Sequence, residues 1–124
     1  MSVSDASAWT SLALIPATAA AGWVLRRWAA GAFSVRLRPH FVLGYIALLA
    51  ALIHTMLAMP ATGAENVAGM WFAALAVSGL VIQSFLGLNL QSPGVYRRPL
   101  HRWHTALFWG TAMLALMHVV LNAA

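Results

Sequence analysis

The sequence has no cysteine, no lysine and only two acidic residues, Asp5 and Glu65. Without cysteine there can be no disulfide, no iron–sulfur cluster and no thioether-linked cofactor. Charged residues make up 7% of the chain, against about one quarter in a soluble domain, so water is not the solvent for most of its surface. No HExxH, P-loop, GxSxG or paired-carboxylate pattern is present, which leaves hydrolysis and phosphoryl transfer without machinery. The opening residues MSVSDASAWT lack the basic n-region and small-residue cleavage site of a secretory signal, so the first apolar segment is expected to stay as a helix. The net charge of +5 comes from seven arginines placed at the ends of apolar runs. That is a topology signal rather than a nucleic-acid surface, and nucleic acid is not an expected partner.

What the chain does have is hydrophobicity, at 62% of its 124 residues. A bilayer core about 30 Å thick takes roughly 20 apolar residues per helix, so this length supplies four spans in one domain, 1–124, and little else. The runs and their breakers predict an all-α, integral membrane four-helix bundle with spans at about 8–28, 39–59, 67–88 and 100–121. Pro39 and Pro99 open the second and fourth spans, where a missing N–H costs nothing. PATGAEN and NLQSPGVYRRP are the breakers on either side of the third. Beside four spans there is no room for a flavin or nucleotide domain, so any reductant or oxidant is expected from a partner subunit or a diffusing molecule.

All seven arginines, Arg26, Arg27, Arg36, Arg38, Arg97, Arg98 and Arg102, lie at or between the facing ends of spans one and two or of spans three and four. By the positive-inside rule those ends face the cytoplasm, giving an N-out, C-out chain of a bacterial-type inner (cytoplasmic) membrane. Spans two and four then run parallel.

Five histidines are present, and four form two pairs of equal spacing: His40 with His54 on span two, and His104 with His118 on span four. Fourteen residues turn a helix through about 1400°, some 40° short of four turns, with a rise of about 21 Å. Each pair therefore shares a face, with one member toward each membrane surface. On parallel helices His40 comes level with His104 and His54 with His118, and two facing imidazoles are the axial ligands of a six-coordinate haem. The same faces carry Gly44, Ala47 and Ala51 on span two and Phe108, Thr111 and Ala115 on span four. Small side chains alone fit ordinary close packing of membrane helices; beside paired histidines they also leave space for a macrocycle. His54 and His118 lie inside apolar runs where an unliganded imidazole is costly, whereas His40 and His104 are near the basic ends, where an interfacial role competes. His101 sits about 60° off the His104 face and is read as structural or carboxylate-contacting.

Arg36, Arg38 and Arg102 are close in sequence to the inner ligands and are the expected partners of that haem's carboxylates. The outer site has no such cation and would rely on Asn122, Thr55, backbone or a partner. Most tryptophans fall at span ends, as an aromatic belt does, with Trp109 deeper. Gln83, Ser84 and Asn89 are either interhelical hydrogen-bonding groups or a quinone headgroup site.

The paired segments FVLGYIALLAALI, between His40 and His54, and TALFWGTAMLALM, between His104 and His118, with YRRPLHRWH leading in, resemble the transmembrane domain of ferric reductases and NADPH oxidases. The resemblance covers nearly the whole chain and rests on spacing and topology. Cytochrome b of quinol–cytochrome c reductases has similar spacing, but its helices run oppositely relative to the cytoplasm. What the resemblance implies is a core with two bis-His haem b groups held by His40, His104, His54 and His118, moving electrons across the membrane between a redox partner and quinone or another acceptor. The family's appended flavin and nucleotide domain is not in this sequence. A metal or oxygen reductase core served by a separate flavoprotein, and a haem-free anchor subunit of a larger redox complex, are the alternatives. In each case the expected surroundings are lipid and other subunits.

Overall fold

The computed structural model describes residues 2–58, 66–92 and 97–123. Its helices are α1 (Val3–Trp28), α2 (Phe33–Arg36), α3 (Arg38–Ala58), α4 (Val67–Gln91) and α5 (Arg97–Ala123), and no strand occurs among the described residues. All but α2 are long and apolar enough to cross a membrane, which makes the chain an all-α, multi-pass membrane protein. The stretch 59–65, with the expected end of the second span, Glu65 and most of PATGAEN, lies outside the described residues, as do residues 93–96.

Helix α1 begins at Val3, ahead of the expected start near residue 8, because Ser2 and Asp5 form a capping box. The Asp5 N–H donates to Ser2 Oγ (3.1 Å) and the Ser2 N–H donates to Asp5 Oδ2 (2.9 Å), so two orphan amides are satisfied together. That extra turn brings Ser4 into the helix. Asn66 caps α4 from one side only, its Oδ1 accepting from the Gly69 N–H at 2.9 Å. Between α1 and α2, Gly31 takes φ +103°, a left-handed conformation that favours glycine.

The spans pack as two antiparallel pairs, α1 along α3 and α4 along α5, with far less contact between α3 and α4. What is buried is mostly small, namely Ser11, Gly22, Ala47, Ala50, Ala51, Gly69, Ala76, Gly79 and Thr111, with Ile15, Leu37 and Leu90 the larger buried side chains. What faces outward is large, including all six tryptophans, from Trp23 at 59% exposed to Trp28 at 74%. Inside a bilayer no water is displaced by bringing helices together, so close backbone approach through small residues replaces a core of bulky ones. The same outer surface in water would be a very large exposed apolar patch.

The α4–α5 contact is tightest at Gly79 against Thr111, which is 1% exposed. A methyl group added at Gly79 would overlap Thr111 Oγ1 and press on its Cβ and Cγ2 at 3.3 and 3.4 Å. Overpacking of this kind costs about 1–3 kcal/mol. Gly79→Ala should therefore lower the thermal unfolding midpoint in detergent, and adding Thr111→Ala should recover most of the loss. An unchanged midpoint in Gly79→Ala would mean that the two helices are not in this register.

Candidate functional site

The two helix pairs leave a cleft between them, and the paired histidines of α3 and α5 face each other across it. The ring centroids of His40 and His104 are 6.2 Å apart, and those of His54 and His118 are 6.3 Å apart. Such pairing requires α3 and α5 to run in the same direction.

A metal–imidazole bond is about 2.0–2.1 Å long, and the ring centre lies about 1.1 Å beyond the nitrogen, so two imidazoles trans on one metal have centroids about 6.3 Å apart. Both pairs stand at that separation. Two donors per site are too few for a bare ion, and among the described residues no three metal-ligating side chains come together. Two donors suit a metal that brings its own in-plane ligands, as haem iron does.

In three of the four rings the other nitrogen is occupied. His40 Nδ1 lies 2.8 Å from the Thr18 carbonyl, His54 Nδ1 3.2 Å from that of Ser4, and His118 Nδ1 2.9 Å from that of Gly69. A carbonyl can only accept, so each Nδ1 carries the proton, and the Nε2 of the neutral ring keeps its lone pair for the cleft. Asn122 Nδ2 is also within 3.1 Å of His118 Nδ1, but it donates to the His118 carbonyl at 2.7 Å while its Oδ1 accepts from Asn66. His104 Nδ1 is buried without a hydrogen bond, as is the Oε1 of nearby Gln83.

These supporting positions follow the same interval as the paired histidines. Ser4 and Thr18 on α1 are fourteen apart, as are Gly69 and Gln83 on α4. Midway between them, Ser11, Ala47, Ala76 and Thr111 form a buried layer contributed by all four spans. The bundle is thus built in three layers, with a histidine pair above and below a plug of small residues. The interval was readable in the chain, but only the packing shows that Ser4, Thr18 and Gly69 support the rings.

Around His54 and His118 lies a cavity of about 370 Å³ walled by all four spans, with Ala51, Thr55, Ala115 and Asn122 in its lining. Around His40 and His104 the space is divided. One part of about 70 Å³ reaches toward the middle layer past Gly44, Ala47 and Leu80, and another of about 130 Å³ reaches toward the basic end past Gly22, Arg26 and His101.

The arginines at the basic end are distributed unevenly. Arg38 and Arg102 are exposed, and Arg36 lies against the Phe33 ring at 5.9 Å; none of the three lines either inner cavity. Arg26, which carries no sequence signal beyond its charge, lines the larger one. Ser84 and Asn89 donate to their own helix, at Leu80 and Phe85 (both 2.9 Å), whereas Gln83 faces both inner cavities. Trp109 packs its ring on Phe108 at 5.1 Å and stays 67% exposed. Compared with known protein families, curated proteins and solved structures, the chain has no match.

Proposed function

We propose that this chain is a transmembrane b-type cytochrome subunit with two haem sites, one between His40 and His104 and one between His54 and His118. The observation that carries the reading is the pair of 6.2 and 6.3 Å ring separations, each at the spacing of trans imidazoles on one iron. The backbone carbonyls behind three of the four rings, those of His40, His54 and His118, support it, because a ligating histidine is ordinarily fixed through its second nitrogen. When bound, haem supplies one-electron redox chemistry at each site. The protein's part is to hold the rings, keep water out with the small-residue layer, and set the sites about 21 Å apart along the helices. One site lies toward each surface, which suits electron transfer across the membrane between a redox partner and quinone or another acceptor. The arginine-bearing end faces the cytoplasm in this reading, in a bacterial-type inner membrane. The sequence resemblance to the ferric reductase and NADPH oxidase core points the same way.

A reduced-minus-oxidised absorption spectrum of the purified chain tests this directly. The expected result is a low-spin b-type spectrum, with two haems per chain by pyridine haemochrome. A purified, folded chain with no b-type absorption and no extractable haem would sink the proposal.

A further inference from the structure

The mouth of the inner cavity carries an arrangement that ligation of iron does not use. Arg26 stands one helical turn beyond Gly22, the residue whose missing side chain makes room for His40. Its guanidinium is held in place: Nε donates to the Gly22 carbonyl at 3.0 Å, and Nη1 meets His101 Nε2 from α5. The contact joins α1 to α5 across the opening of the cavity that His40 and His104 line. Both groups can present N–H donors to an anion, and a guanidinium offers two parallel ones matched to a carboxylate. Among the described residues no carboxylate is paired with either group.

We propose that Arg26 and His101 form a carboxylate clamp for the cofactor of the inner site, which takes a ligand with acidic substituents reaching toward the basic end. The clamp rests on the haem reading above, and its ligand is the propionate edge of that haem. It chooses the carboxylate-contacting role of the two read for His101 from the sequence, and gives Arg26 the part that proximity in sequence suggested for Arg36, Arg38 and Arg102. The outer cavity, with Asn122 and Thr55 in its lining, has no arginine and no equivalent clamp. The two sites therefore differ in how much they depend on the acid groups of the cofactor.

The test compares haem b with its dimethyl ester, in which both carboxylates are masked, on the full chain and on Arg26→Leu, Arg26→Lys and Arg102→Leu. The readouts are haem retained per chain and the two midpoint potentials. In the unaltered chain the inner site should lose the ester about tenfold faster than haem, while the outer site distinguishes them less. Arg26→Leu should weaken retention of haem at the inner site about tenfold and lower its midpoint potential, because a positive charge favouring the reduced form is gone. It should leave ester binding unchanged. Arg26→Lys should restore part of both effects, and Arg102→Leu should alter neither. If Arg26→Leu does not fold, the comparison of haem and ester on the unaltered chain decides alone. Two haems bound with equal retention of haem and ester at the inner site, or ester binding that still depends on Arg26, would overturn the clamp and leave the ligand assignment standing. An unaltered chain without haem would overturn both.

Discussion

Replacing His118 with alanine should leave one haem per chain instead of two, and replacing His54 should have the same effect with no further loss in the double variant. If the two rings serve one haem, as proposed, removing the second after the first removes nothing more. His40→Ala and His104→Ala should behave alike at the other site. The decisive comparison is between double variants. Changing both members of a facing pair, His54 and His118, should cost one haem, whereas changing one member of each pair, His40 and His118, should cost both. Pyridine haemochrome per chain reads the difference. The expectation follows from the 6.2 and 6.3 Å ring separations, which assign partners by level in the membrane rather than by position on one helix. Retention of both haems in His54→Ala, or equal losses in the two kinds of double variant, would break the assignment.

The second large effect is expected at a residue that touches no cofactor. A methyl group at Gly22 would stand 2.8 Å from His40 Nδ1 and 3.1 Å from its Cε1, closer than side chains pack. The imidazole cannot yield freely, because its Nδ1 is bonded to the Thr18 carbonyl at 2.8 Å. Gly22→Ala should therefore push the ring off its carbonyl and out of line with His104. The inner haem is then lost, or becomes five-coordinate and high-spin, while the outer one keeps its spectrum. Gly110→Ala is the control, since an added methyl there meets nothing within 4 Å. Absorption and electron paramagnetic resonance spectra distinguish the outcomes. Two unaltered low-spin haems in Gly22→Ala would show that α1 does not set the His40 ring.

The four spans were legible in the chain because a bilayer imposes a length and a polarity on each segment, and both are local properties of sequence. The shared face of His40 and His54, and of His104 and His118, was legible for a similar reason: rotation per residue is fixed within one helix. The short helix Phe33–Arg36 was not anticipated, because four residues are too few to show a helical hydrophobic period. Nor was the start of α1 at Val3, which depends on a reciprocal pair of hydrogen bonds between Ser2 and Asp5 rather than on hydropathy.

What the sequence determined by itself, then, is an all-α membrane chain whose histidines fall at two levels of two like-directed helices. Tertiary structure decided the rest. It made α1 the support of the α3 rings and α4 the neighbour of the α5 rings, chose the carbonyls of Ser4, Thr18 and Gly69 as the acceptors that orient three rings, and brought Arg26 rather than Arg36, Arg38 or Arg102 to the inner cavity. The physical reason is that periodicity within a helix is set by its own backbone, whereas rotation and register between helices depend on where small residues let two backbones approach. In this chain those places are Gly22 against His40 and Gly79 against Thr111.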